Sequence, residues 1–203
     1  ILLGMNVMNI NTIRVRYTLL FCSLGVCLIV LVLMNNSLVS TTESSLIKFG
    51  SNFNPAISSV INADRDLYQA KVAELQIFDD GISSQEIDEN FADYQENAKQ
   101  AFDRFVAYKQ LMSDYPDVIN KLKGFDQSYN LWLAESTKVF TLIRNNQITE
   151  AKNHSNDVSD ATFNELREFY NLAGELADIK STSVSKETIS TVDNRIVILS
   201  IVS

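Results

Sequence analysis

The 203-residue chain carries 25 acidic against 17 basic side chains, a formal net charge of −8, and 46% of its residues are apolar. All 25 acids and 14 of the basic residues fall between Glu43 and Asp193, so this stretch alone has a formal charge of −11. Such a surface argues against nucleic acid as a partner, because phosphate binding requires clustered Lys and Arg. No dinucleotide, phosphate-loop, metalloprotease or nucleophile-elbow motif is present, so neither an enzyme nor a cofactor is expected.

In chain order, a polar segment (1–16) with Arg14 and Arg16 precedes YTLLFCSLGVCLIVLVLM, eighteen uncharged residues at 17–34. As a helix this run is about 27 Å long, close to the hydrocarbon thickness of a bilayer. A cleavable signal peptide would have a shorter apolar core and a small-residue cleavage site, which Asn35-Asn36-Ser37-Leu38-Val39-Ser40 does not supply. The run therefore reads as a retained membrane helix over 17–35. No Lys or Arg follows it until Lys48, so the positive-inside rule puts 1–16 in the cytoplasm and the middle of the chain outside the cell. Both cysteines, Cys22 and Cys27, lie within this run, so the exported part has no disulfide to draw on.

Residues 36–193 read as one all-α sensor domain, an up-down-up-down four-helix bundle. The first helix is expected over about 38–79, with Pro55 as a kink or interruption. Ser83 and Glu86 fit a capping box opening the second. That helix shows Ile87, Phe91, Tyr94, Ala98, Ala101, Phe105, Tyr108, Met112 and Tyr115, spaced alternately four and three. The third, opened by Pro116, repeats the alternation through Val118, Leu122, Phe125, Tyr129, Trp132, Ser136, Val139 and Ile143. A sustained period of about 3.5 marks helices packed at shallow angles. Asn145-Asn146-Gln147 breaks the chain again, with Thr149 as the expected cap of a fourth helix that carries Leu166, Phe169, Ala173 and Leu176 towards Arg195. After Arg195 the chain reads IVILSIVS, the expected start (195–203) of a second membrane helix continuing past Ser203; Met5 or Met8 is the expected natural start. The sequence thus reads as the N-terminal fragment of a longer protein.

Within the first helix, INADRDLYQA places Asp64, Arg65 and Asp66 side by side. A heptad laid through Ile57, Ile61, Asp64, Tyr68, Lys71, Leu75 and Phe78 puts Asp64 and Lys71 at positions where apolar residues belong, as a structural polar layer that fixes register. Val60, Ala63, Leu67 and Ala70 form a neighbouring apolar stripe. Arg65 shares a third, polar stripe with Asn62 (i−3) and Gln69 (i+4). These three are the candidate ligand-binding residues, with the planar guanidinium as a fork for a carboxylate.

The stretch from Asn62 to Ala70, in the first helix after a membrane span, resembles methyl-accepting chemotaxis proteins with four-helix-bundle sensors. The resemblance covers both spans and the domain between them. It implies a homodimer in the bacterial inner membrane that binds a small solute, or a solute-loaded periplasmic binding protein, outside the cell. It also implies a cytoplasmic chemotaxis kinase and adaptor as partners, reached through a C-terminal part not contained in this stretch. Ligand contacts in that family come from first-helix arginines and polar residues of the fourth helix, and of these only Arg65 maps onto this sequence. The layout is shared with some histidine kinases and diguanylate cyclases, and a membrane-tethered structural protein without a ligand is the third reading.

Other chemistry-bearing residues read as ordinary. His154, the sole histidine, lacks metal-ligating partners at helical spacing and is expected to be exposed, so no metal site is expected. Tyr129 and Trp132 fall on the third-helix seam as core residues, and Asp79-Asp80 as solvated acids at a turn.

Overall fold

The computed structural model describes residues 13–202, and these are all-helical, with no strand. The expected cytoplasmic segment 1–16 therefore lies mostly outside the described residues. Seven α-helices follow one another: α1 (Ile13–Lys48), α2 (Asn54–Gln76), α3 (Ser84–Leu111), α4 (Pro116–Lys121), α5 (Phe125–Arg144), α6 (Ile148–His154) and α7 (Asp160–Val202). Two π-helical turns, Phe49–Phe53 and Ser155–Ser159, join α1 to α2 and α6 to α7 without leaving helical geometry. The chain divides into two compact units, one made of 1–46 and 184–203, the other of 47–183.

In the first unit, α1 has no buried residue. Leu19, Leu20, Phe21, Leu28, Ile29, Val32 and Leu33 are all exposed, so apolar side chains point outward all round the helix. That pattern suits lipid and not water. The uninterrupted helical stretch Ile13–Gln76 contains a segment long and apolar enough to cross a membrane, the one candidate among the described residues. Its few hydroxyls are satisfied internally: Thr18 Oγ1 donates to Arg14 O at 2.9 Å and Ser23 Oγ to Leu20 O at 2.8 Å. The C-terminal part of α7 lies alongside α1, with the Ser45 and Thr188 hydroxyls 2.9 Å apart and Arg195 Nη1 donating to Ser37 Oγ at 2.7 Å. Cys22 and Cys27 are free thiols.

The second unit is built on aromatic residues. Phe105 of α3 stacks on Phe125 of α5 at 3.6 Å, and both meet the edge of Tyr170 of α7, at 5.1 and 5.5 Å. Tyr94, Trp132 and Phe140 form a second knot with centroid separations of 5.1 and 5.6 Å about Tyr94. Buried phenols find carbonyls: Tyr108 OH donates to Ala173 O at 2.7 Å and Tyr129 OH to Ala98 O at 3.1 Å. Burial pushes the Tyr129 phenol up to about 12 and holds Tyr94, Tyr108 and Tyr170 above the usual tyrosine value. Helix α2 answers this bulk with small side chains, burying Ala56, Val60, Ala63, Leu67, Ala70 and Ala73.

The expected caps and breaks are met in part. Ser83 and Glu86 form the reciprocal capping box, with Ser83 N donating to Glu86 Oε2 at 2.8 Å and Glu86 N to Ser83 Oγ at 3.2 Å. The backbone hydrogen bond from Ser83, then its hydroxyl, holds the Glu86 carboxyl below its usual value. The box is therefore intact above an ordinary glutamate pKa and is lost only as the pH falls through that lowered value. The polar break 145–147 separates α5 from α6, with Asn146 left-handed at φ 58°. Thr149, however, is not a cap: the position before α6 is Gln147.

Three further expectations are corrected. The third helix is not continuous, because Gly124 at φ 101° breaks it into α4 and α5, although every seam residue from Val118 to Ile143 remains buried. Pro55 does not interrupt the first helix. The π-turn just before it, closed by Asn54 N–H to Phe49 O, absorbs the proline as a first-turn residue of α2. Lastly, the heptad through Ile61, Tyr68 and Leu75 faces outward, and the neighbouring alanine stripe is the core face. Alanine side chains let α3 approach α2 closely, which larger residues on the heptad would prevent.

Candidate functional site

Successive residues of a helix point 100° apart, so Asp64, Arg65 and Asp66 face three directions. Asp66 falls on the alanine stripe and its side chain is completely buried. A bare carboxylate there would cost several kcal/mol, and the neighbours remove most of that cost. Oδ1 accepts from Arg65 Nη2 at 2.7 Å and Nε at 3.1 Å, while Oδ2 accepts from Arg104 Nε of α3 at 2.5 Å. Two guanidinium groups share one carboxylate, leaving a net positive charge. Both remain partly in water, with 54% of the Arg65 side chain and 39% of Arg104 exposed. Each fork keeps N–H donors beyond those given to Asp66.

The flanking residues are distributed differently. Asp64 Oδ1 accepts from Arg167 Nε of α7 at 3.2 Å, and that guanidinium lies 4.7 Å over the Tyr68 ring. Asn62 turns back along its own helix, its Nδ2 donating to Ser58 O at 2.8 Å, and Gln69 is exposed. Asn62, Arg65 and Gln69 thus share a face but do not converge on one point. Arg104 and Arg167 are the cations that the sequence reading missed. Their signal was present in the sequence as basic residues on helices otherwise rich in acids.

Asp64 and Lys71 do not form one polar layer, as the heptad predicted. Each has separate partners. Lys71 is buried and donates to Glu74 Oε1 at 3.1 Å, with Asp160 Oδ1 at 3.6 Å. Glu74, fully buried, is the centre of a second cluster. Ser155 Oγ donates to Oε1 at 2.6 Å, Ser159 Oγ to Oε2 at 2.7 Å, and Ser136 Oγ also bonds Oε2. Ser155 and Ser159 are the first and last residues of the π-turn between α6 and α7. Four polar groups from α2, α5 and the π-turn therefore close around one carboxylate.

His154 is not exposed. Its Nε2 is 2.8 Å from Glu135 Oε2, an ion pair when the imidazole is protonated. Among the described residues no group of three or more His, Cys, Asp or Glu could hold a metal ion. Trp132 and Tyr129 are buried. No protein-family model, curated protein or solved structure matches the chain.

Replacing Glu74 by Ala would leave the buried Lys71 ammonium only the longer contact to the half-exposed Asp160, and the cost of breaking a buried pair is about 3–5 kcal/mol. Urea unfolding of the chain in detergent, followed by circular dichroism, should show a loss of at least about 3 kcal/mol for Glu74→Ala. A loss below about 1 kcal/mol, the scale of an exposed pair, would mean the cluster is hydrated.

Proposed function

We propose that the chain is the sensing part of a two-span chemoreceptor, binding a small anionic solute outside the cell and biasing a conformational equilibrium that is read in the cytoplasm. The carrying observation is the pair Arg65 and Arg104 on one buried carboxylate, two solvent-facing forks with a net positive charge in an otherwise acidic region. Asp66 holds both guanidinium groups in place before a ligand arrives, which reduces the ordering cost of binding. A carboxylate- or phosphate-bearing solute is the chemistry such forks recognise.

Several features support the architecture. Helices α2, α3, α5 and α7 each place aromatic, aliphatic or hydroxyl groups on a common interior, as a four-helix bundle requires. The exposed apolar helix α1 and the apolar sequence after Arg195 suit two spans of the inner membrane, with 36–193 in the periplasm. Helix α7 runs unbroken from the Glu74 cluster into the apolar end, a route by which a small displacement could travel. The cytoplasmic chemotaxis kinase and adaptor would be reached beyond Ser203. A histidine kinase or diguanylate cyclase output fits the same sensor and is the second reading.

The outward heptad on α2 supports a homodimer. Ile61, Tyr68 and Leu75, with Val72 beside them, are large apolar side chains left exposed at seven-residue spacing, the pattern of a seam between two like helices.

Thermal-shift screening of the chain against amino acids, organic acids and amines tests the sensor. An organic acid at a hundredfold excess over its dissociation constant should add about 2.7 kcal/mol of stability, and Arg65→Ala should abolish that gain. If no compound stabilises the chain and Arg65→Ala leaves signalling by the full-length protein intact, the ligand-binding reading is wrong. For the dimer, Ile61→Cys in a Cys22→Ser, Cys27→Ser background should cross-link spontaneously in membranes, while Gln95→Cys on α3 should not. Equal cross-linking at both positions would remove the α2 seam.

A further inference from the structure

We infer that the end of the 47–183 unit formed by the α2–α3 and α5–α6 turns is a binding site for an aliphatic amine, separate from the Arg65 and Arg104 pair on α2 and α3. A cavity of about 780 Å³ opens there, within the range of small-molecule sites. Its apolar lining comes from both turns: Ile77 and Ile143 are buried, Ile82 of the α2–α3 turn is half-buried, and Ile148 is 57% exposed. A large aliphatic side chain facing water beside a cavity is a surface that gains by being covered.

The charges at the cavity select the ligand's sign. Asp79, Asp80 and Asp88 line it against the single cation Arg144. Asp88 Oδ1 accepts from Arg144 Nη2 at 2.7 Å and Nε at 3.1 Å, and the guanidinium lies 4.4 Å over the Phe91 ring. Arg144 is thus paired with Asp88 at the cavity wall. Asp79 and Asp80 have no ion-pair partner among the described residues. An adjoining hollow of about 340 Å³ shares Asp79 and Asp80 and adds Glu86, Glu89 and Asp93. Concave, low-dielectric walls lined by one sign of charge concentrate the opposite sign. An ammonium group is therefore attracted to Asp79 and Asp80 while its hydrocarbon tail lies on the isoleucines; a carboxylate of the same length meets repulsion. Since the two turns belong to different helix pairs, a ligand spanning them would tie α2–α3 to α5–α6.

The test uses the full chain in lipid nanodiscs, with isoleucine δ-methyl groups labelled for NMR and hexylammonium and hexanoate as probes. Hexylammonium should give saturable shifts at Ile77, Ile82, Ile143 and Ile148, with hexanoate at least about tenfold weaker. The double variant Asp79→Asn, Asp80→Asn should weaken hexylammonium by about tenfold, as two partly screened contacts allow. Arg65→Ala should leave hexylammonium binding unchanged, so this site and the arginine site succeed or fail separately. Equal binding of hexanoate, an undiminished affinity in the double variant, or shifts confined to lipid-facing residues such as Ile29 would overturn the proposal.

Discussion

Two carboxylates with no access to water, Asp66 and Glu74, set the terms for the rest of the 47–183 unit. Each needs several hydrogen-bond donors at fixed distances, because an unpaired charge in that interior costs more than most single mutations. Asp66 obtains them from α2 and α3, and Glu74 from α2, α5 and the π-turn before α7. Sliding any of these helices by one turn would strand a carboxylate, a hydroxyl or an ammonium. Apolar packing tolerates approximate registers, whereas this polar set tolerates one.

That division of labour explains what could be read from the sequence. Helices α3 and α5 bury large aromatic residues at three- and four-residue spacing, so their core faces were legible residue by residue, and the seam survived even the break at Gly124. Helix α2 was misread because the large side chains Ile61, Tyr68 and Leu75 are on the outer stripe, while the inner face combines alanines, Val60 and Leu67 with the charged Asp66, Lys71 and Glu74. Hydrophobicity ranks side chains by transfer from water and carries no information on which face is close enough to a neighbour to demand small residues. A buried acid looks the same in sequence as a solvated one. The π-turns escaped for a related reason: Pro55 announced a disturbance, but nothing local says that a widened turn will absorb it.

At the candidate site, Arg65 was legible as a solvent-facing cation, and its partner Arg104 was not. Arg104 lies 38 positions beyond Asp66 and across the α2–α3 turn, and only the packing of α3 on the alanine stripe brings both arginines to Asp66. Asn62 and Gln69, which helical spacing placed beside Arg65, share its face without converging with it. The positive spot these cations make spans α2 and α3, while the acidic cavity lies where the turns of the unit meet. In the proposed sensor, opposite charge at two places on one fold would admit solutes of both signs, and the α2 heptad left outside the core would be the seam of the proposed dimer.

A sensor of external solutes requires residues 47–183 to face the outside of the cell. Labelling intact cells with a membrane-impermeant maleimide tests that most directly, using Gln69→Cys in a chain whose only two native cysteines, Cys22 and Cys27, are changed to Ser. Gln69 is exposed on α2, so the account predicts full labelling without lysis. Labelling that appears only after the cells are broken would place the unit in the cytoplasm and contradict it.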